Sequence, residues 1–238
     1  MTLTVLDAAQ TERRLPYDRL APALARMLAR KRDGRTLAPD RLAVPLTGGI
    51  LLAMPATDGE FAVTKLVTVH AANPARGLPS LLGEVLLMRA DTGERLLMLD
   101  GPTVTARRTA ALSALAATTL GAARDAELLV IGSGVQARAH VQAFHELLGV
   151  RRVTVASRDP AHARALAQAG VARGLAAEAV ADPTEAAARC ALIVTATTAL
   201  GFSRRVDAAA AIRLVLNTLG GNDSVTIVPS ALFPLGID

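Results

Sequence analysis

The sequence predicts an α/β protein in two parts: a doubly wound parallel sheet, preceded by an α+β domain with a mainly antiparallel sheet. Three observations carry this. Between Arg41 and Asp100 five short extended runs, LAVPL, GILLAMPA, FAVTKLVTVH, GEVLLMRA and ERLLMLD, are punctuated by Gly, Asp-Gly and Asn-Pro turns, as in an antiparallel sheet. From Glu127 onward the pattern alternates strand, Gly-rich turn, helix, strand, helix, strand, which means parallel strands joined by helical crossovers. A chain of 238 residues, 51% of them hydrophobic, is also large and apolar enough to give each part its own core.

In chain order, residues 6–31 read as one amphipathic helix. Leu15, Leu20, Leu24 and Met27 recur at helical spacing, and Asp33-Gly34 marks its end. Within the sheet the clearest hairpin pairs GEVLLMRA with ERLLMLD through Asp91-Thr92-Gly93, a turn with the Asp and Gly that tight loops favour. A helix is expected from Thr103 to about Ala123, followed by the change of pattern. The domains are therefore set at residues 1–121 and 122–238. Past the first βαβ unit, Leu192-Ile-Val-Thr-Ala-Thr-Thr198 and Ala211–Gly221 read as further strands.

Composition excludes several classes. Asp7, Glu12, Arg13 and Arg14 interrupt the apolar segment that a secretion signal needs, and the Ala-rich run from Thr109 to Ala123 is short of the roughly 20 residues that span a bilayer. No membrane partner is expected. The single Cys190, in CALIVTA, rules out an internal disulfide and a cysteine-based metal cluster, so no metal is expected and a reducing cytoplasmic setting fits. The net charge is +5, but the arginines are dispersed and aromatic residues make up only 2%, which leaves few stacking platforms for nucleic acid. The basic residues are almost all Arg; the lysines are Lys31 and Lys65. Lys65 sits mid-strand with Val63 and Val67 on its face, where an ammonium is costly unless a partner or ligand meets it.

The most informative segment is Glu127-Leu-Leu-Val-Ile-Gly-Ser-Gly-Val-Gln-Ala137, a GxGxxA between an apolar strand and a helix over 138–148. Gly132 allows the tight turn, and Gly134 lets backbone N–H groups approach a pyrophosphate at the helix N-terminus. Ala137 is small enough for helix and strand to pack closely, with Ser133, Val135 and Gln136 completing the loop. The next strand, Arg152-Val-Thr-Val-Ala156, arrives at the distance a dinucleotide-binding unit requires. The sheet is thus Rossmann-like and the cofactor a nicotinamide dinucleotide. Where an NAD site would place Asp or Glu for the ribose, the chain has Ser157-Arg158. A guanidinium there suits a 2′-phosphate, so NADP(H) is favoured over NAD(H), with neighbouring Asp159 the competing signal. Thr195 and Thr197 fall where cofactor-side loops lie, and a β-branched strand end accounts for them equally well.

Together with the first domain, these residues resemble the ornithine cyclodeaminase/μ-crystallin family. The likeness runs through VPLTGGILLAMPATDG, AVTKLVTVH, NPARGLPSLLGEVLLMRADTGERLLMLDGPTVTARRTAALSALA and VIGSGVQARAHVQAF, over about residues 40–200. LLAMPA, LVTVH and LDGPTVTARRTAA look closest to its bacterial ketimine reductase branch, which reduces Δ1-pyrroline-2-carboxylate and Δ1-piperideine-2-carboxylate. The resemblance implies a homodimer through the first domain's sheet, with a small imino-acid or amino-acid substrate between that domain and the nicotinamide. It assigns Arg41, Lys65 and Arg108 to substrate binding. Chemistry agrees: guanidinium groups clamp a carboxylate, and an imine accepts hydride more readily once its nitrogen is protonated, a proton Lys65 can hold. Against this, Arg108 beside Arg107 also reads as a surface charge pair, and Arg41 as a solvated charge.

Two departures stand out. The family usually has Gln or Thr where this chain has Leu82. After Gly221, where cyclodeaminases carry a catalytic acid, strict alignment gives Asn222 and a one-residue slip gives Asp223. SVTIVPSALFPLGID then leaves the family pattern, short of its usual C-terminal helices, consistent with a truncated chain, a disrupted gene or a shorter variant. The resemblance therefore implies a ketimine reductase first, an ornithine cyclodeaminase second, and third an inactive dimer that retains cofactor affinity.

Overall fold

A computed structural model describes residues 3–197 together with two later strands, Leu214–Thr218 and Val225–Pro229. After a short strand β1 (Thr4–Val5), the amino-terminal region forms two helices, α1 (Ala8–Arg14) and α2 (Tyr17–Arg32), where one was expected. The break is Leu15-Pro16. The ring of Pro16 crowds the residue before it, Leu15 leaves helical geometry at φ −120°, ψ 53°, and Pro16 becomes the N-cap of α2. Leucine spacing carried the expected helix across a residue whose backbone stops it.

The five extended runs form the strands β2 (Leu42–Leu46), β3 (Gly49–Thr57), β4 (Phe61–Val69), β5 (Leu81–Arg89) and β6 (Arg95–Asp100). They pair as an antiparallel meander, with β1 added parallel to β6 in the order β1-β6-β5-β4-β3-β2. Direct cross-strand partners share a face. One face carries Leu52, Val67 and Val85, all buried, and in the same set Met54, Lys65 and Leu99. The other carries Leu42, Val44, Leu46, Leu66 and Leu82, all exposed.

Helix α3 (Gly101–Thr119) follows β6 without a loop, because the Asp100 carboxylate accepts the Thr103 N–H at 2.8 Å and caps its first turn. It stops short of the expected Ala123, ahead of Gly121 in the left-handed region at φ 77°. The chain divides within this helix into two compact units, Met1–Arg108 and Thr109–Asp238.

In the second unit the order is β7 (Leu128–Ile131), α4 (Val135–Leu148), β8 (Arg152–Ala156), α5 (Pro160–Val171), β9 (Ala176–Val180), α6 (Thr184–Arg189), β10 (Leu192–Thr195), β11 (Leu214–Thr218) and β12 (Val225–Pro229). The sheet runs β12-β11-β10-β7-β8-β9, parallel except for β12. Every residue of β7 and β10 is buried, as central strands covered on both faces must be. The antiparallel β12 lies in the stretch after Gly221 that left the expected pattern. Among the described residues no helix is long and apolar enough to cross a membrane, and no three His, Cys, Asp or Glu side chains gather as a metal site.

Candidate functional site

In the second unit, strand order reverses at β7. The chain moves outward through β8 and β9, then returns to lay β10 on the opposite side, which leaves a crevice at the carboxyl ends of β7 and β10. Gly132 sits at its floor with φ 121°; its N–H donates to the Ala156 carbonyl at 2.8 Å. A Cβ there would lie 2.3 Å from the Ala196 carbonyl oxygen, so only glycine lets the loop pass this close to the end of β10.

The cleft above holds about 480 Å³ and is lined by Gly132, Ser133, Ser157, Arg158 and Thr197. Asp159, the competing signal of the sequence, lines it too, and His162, Ala181, Pro183 and Ala196, none of them singled out in the sequence as ligands, complete much of its wall. Ser133 and Ser157 link their hydroxyls across the mouth at 2.9 Å. Gly134 is the N-cap of α4 and supplies no side-chain cap; a Cβ at that position would meet nothing within 4 Å. No N-cap side chain therefore competes for the first-turn N–H groups of α4, at Val135, Gln136 and Ala137. An open helix N-terminus beside a glycine loop and a guanidinium fits a dinucleotide's phosphates. Ala137 is fully buried, as close helix–strand packing requires. Thr195 is 2% exposed inside β10 and does not line the cleft, unlike Thr197.

Helix α4 is pinned from beneath by His140, which is completely buried. Its Nδ1 lies 2.7 Å from the Gln136 carbonyl and must donate; its Nε2, 3.0 Å from Ser113 Oγ, then accepts from the serine. Burial pushes this imidazole down to about 4, against the smaller opposing effect of the Gln136 contact, so it is neutral at physiological pH. Cys190 is buried too, and burial raises its thiol to about 12. It is no nucleophile.

Asp159, the signal that competed with Arg158 for the cofactor reading, is occupied. One carboxylate oxygen accepts the N–H groups of Ala161 at 2.8 Å and His162 at 3.3 Å, capping α5, and the other lies 3.1 Å from His162 Nδ1. The His162 and Ala161 backbone contacts hold the carboxyl below the usual range.

In the first unit, Lys65 on β4 faces Met54 on β3 and Val85 on β5. Arg41 directly precedes β2, and extending the β2–β3 register from Leu42↔Ala53 sets it opposite Met54. Arg41 and Lys65 thus flank Met54 on one face, two strand spacings or roughly 10 Å apart. Both are half-buried, as is Arg108 on α3. Each already interacts with another group of the protein.

The pair Arg107-Arg108 separates. Arg107 is buried, donating from Nε to the Leu15 carbonyl at 2.7 Å and from Nη1 to Glu12 at 2.9 Å, with its guanidinium 3.9 Å above the Tyr17 ring. It is no surface charge. Leu82 pairs with Thr68 and so lies on the face opposite Lys65. Asp223, with Asn222, lies outside the described residues.

Comparison with known proteins sets these features in context. The chain is similar to Delta(1)-pyrroline-2-carboxylate reductase 1 of Burkholderia multivorans, 47% identical over 153 residues, or 63% of this chain and 49% of that protein. The Delta(1)-pyrroline-2-carboxylate/Delta(1)-piperideine-2-carboxylate reductase of Azospirillum brasilense is 43% identical over 154 residues, 64% of this chain and 50% of its own length. Among solved structures, Thermococcus litoralis Delta(1)-pyrroline-2-carboxylate reductase in complex with NADH and L-proline matches with a TM-score of 0.76 at 28% identity, over 83% of this chain and 62% of that one. An archaeal alanine dehydrogenase dimer with bound NAD matches at 0.75 and 27% identity, over 84% and 62%. The chain spans about half the length of the curated relatives it matches. The model of the ornithine cyclodeaminase/mu-crystallin family matches residues 1–210, and the chain belongs to that family.

Proposed function

We propose that this protein is a nicotinamide-dependent reductase of cyclic ketimine carboxylates, converting Δ1-pyrroline-2-carboxylate or Δ1-piperideine-2-carboxylate to L-proline or L-pipecolate. The observation that carries the reading is the register that sets Arg41 and Lys65 on one face of the first sheet, in a chain whose relatives are named for these reductions. The substrate has a carboxylate next to a C=N bond. Arg41 and Arg108 hold the carboxylate, since a guanidinium presents two parallel N–H donors to its two oxygens. Lys65 holds a proton at the imine nitrogen, so that the adjacent carbon accepts a hydride while the nitrogen becomes a neutral amine. The bound cofactor supplies that hydride.

NADP(H) is the favoured cofactor. Arg158 lines the cleft beside Ser157, and Asp159, the carboxylate that lines it among the described residues, is committed to capping α5. NAD(H) is the alternative, and the Thermococcus litoralis relative is in complex with NADH. The buried, unreactive Cys190 suits a reducing cytoplasm, and the exposed apolar face of the first sheet suits a homodimer.

The test is direct. Incubate the protein with NADPH and Δ1-piperideine-2-carboxylate, follow loss of reduced cofactor, and in parallel measure ammonia release from ornithine with NAD. Reduction without ammonia release is expected, and Lys65→Met lowers kcat by at least about 100-fold, the usual reach of a general acid. Cofactor binding with neither activity overturns the enzyme reading in favour of a ligand-binding dimer; ammonia release in place of reduction makes the protein a cyclodeaminase.

A further inference from the structure

His162 lines the cofactor cleft alongside Ser157 and Arg158, on the first turn of α5, and nothing so far gives it a part. Its side chain is 73% exposed and its orientation is set by one contact, Nδ1 to the free oxygen of Asp159 at 3.1 Å. A carboxylate only accepts, so Nδ1 carries a hydrogen and Nε2 is the ring nitrogen left for a ligand. In the neutral ring Nε2 is a lone pair and repels an anion. In the protonated ring it is an N–H donor with a positive charge behind it, and it attracts one.

We propose that His162 is a specificity-determining residue for the 2′-phosphate of NADP(H), adding to the contribution of Arg158 only when its imidazole is protonated. The inference rests on the NADP(H) reading above. It accounts for an otherwise unfavourable arrangement: the cleft that would take a phosphate also holds the Asp159 carboxylate, and His162 is the group that touches that carboxylate and can offset its charge. The charged groups around the imidazole are Asp159 at the helix cap, Arg158 before it and Arg164 further along α5. Asp182 stands on the β9–α6 connection between the cleft residues Ala181 and Pro183. Asp182 is engaged by the Thr184 N–H and hydroxyl at 2.9 and 2.6 Å. Asp159 stays anionic as the pH falls, because the backbone of His162 and Ala161 stabilises its charge. Of these side-chain types, only an imidazole is suited to switch between a neutral and a charged donor in this range.

The ligand titrates as well, which makes the sign of the effect diagnostic. A phosphate monoester gains its second negative charge near pH 6, so with Arg158 alone the preference for NADPH over NADH rises with pH. A protonated His162 works the other way, strengthening the preference at the acid end. The experiment is fluorescence titration of the intact protein with NADPH and with NADH at pH 6 and pH 8.5. It compares wild type with His162→Asn, His162→Lys and Arg158→Ala, reading the ratio of the two Kd values so that only the 2′-phosphate differs.

The preference of wild type, divided by that of His162→Asn, should be about fivefold or more at pH 6, in keeping with one charge-assisted hydrogen bond, and near one at pH 8.5. His162→Lys, charged at both values, should match or exceed wild type at both. A wild type to Asn ratio that is the same at both pH values, or a Lys variant that behaves like Asn, overturns the role of His162. If wild type shows no NADPH preference at either pH and Arg158→Ala changes nothing, the NADP(H) reading itself has failed, a separate result from an Arg158-dependent preference that ignores His162.

Discussion

At His140, complete burial and a backbone hydrogen bond act in opposite directions on one imidazole, and burial prevails. The consequence is a pH limit on the second unit. The folded ring titrates at about 4, an unfolded histidine near 6.5, so the stability from keeping it neutral is fully present above about 6.5 and is lost as the pH falls toward 4. The gap corresponds to about 3 kcal/mol. Urea unfolding of wild type should show this loss between pH 7 and pH 4.5, whereas His140→Gln, weaker at pH 7, should lack that part of the slope. Equal slopes in the two proteins would remove His140 from the account. Residues such as Gly132, Ser133, Ser157 and Arg158 were legible because one βαβ unit presents them at fixed spacings. His162 was not, because its place depends on a cleft wall assembled with the β9–α6 connection, and Asp159 was named only as a competing signal because its use as a helix cap shows in the structure. Thr195 and Thr197 separate for a simpler reason: Thr195 is still within the buried strand β10, and Thr197 has left it.

At the scale of elements, the strands from β2 to β6 followed their apolar runs closely, because three of their four connections are short turns whose Gly and Asp residues are written in the sequence, the longer one being residues 70–80 between β4 and β5. The first helix did not, since Pro16 overrode its leucine period. What holds the resulting α1–α2 corner is Arg107, which reaches from α3 to the Leu15 carbonyl at the break, to Glu12 and to the Tyr17 ring. Its neighbour Arg108 points elsewhere because successive helical residues are turned by about 100°. That difference in fate is invisible in an Arg-Arg pair read alone. Arg107→Ala leaves the Leu15 carbonyl without its donor and the Tyr17 ring without its cover. Part of the Glu12 contact is screened by water, so the expected loss is about 2–3 kcal/mol in chemical unfolding. Arg107→Lys should recover little of it, because an ammonium can neither stack on the ring nor donate along two directions in one plane. Full recovery by lysine would show that charge alone holds the corner.

For the whole molecule, the first unit's sheet presents a face of exposed apolar side chains. Leu42, at 62% exposed, and Leu66, at 44%, lie in line through Ala53; Val44 and Leu82 lie in the next line through Leu51 and Thr68, with Leu46 beside them. Five large aliphatic side chains on one flat face form the contiguous patch that soluble proteins reserve for an interface. Its outer strand β2 is an edge, guarded against open-ended pairing by Pro45, which has no N–H to donate. Face-to-face closure by a second copy, rather than edge extension, is therefore the geometry we propose for the homodimer. Replacing Leu66 and Leu82 by Glu sets like charges against their own copies across such an interface. Light scattering after size exclusion should give a dimer for wild type and a monomer for this double variant, with an unchanged far-ultraviolet circular dichroism spectrum. A dimer that survives both charges, or a wild type that is monomeric at micromolar concentration, would locate the function of this face elsewhere.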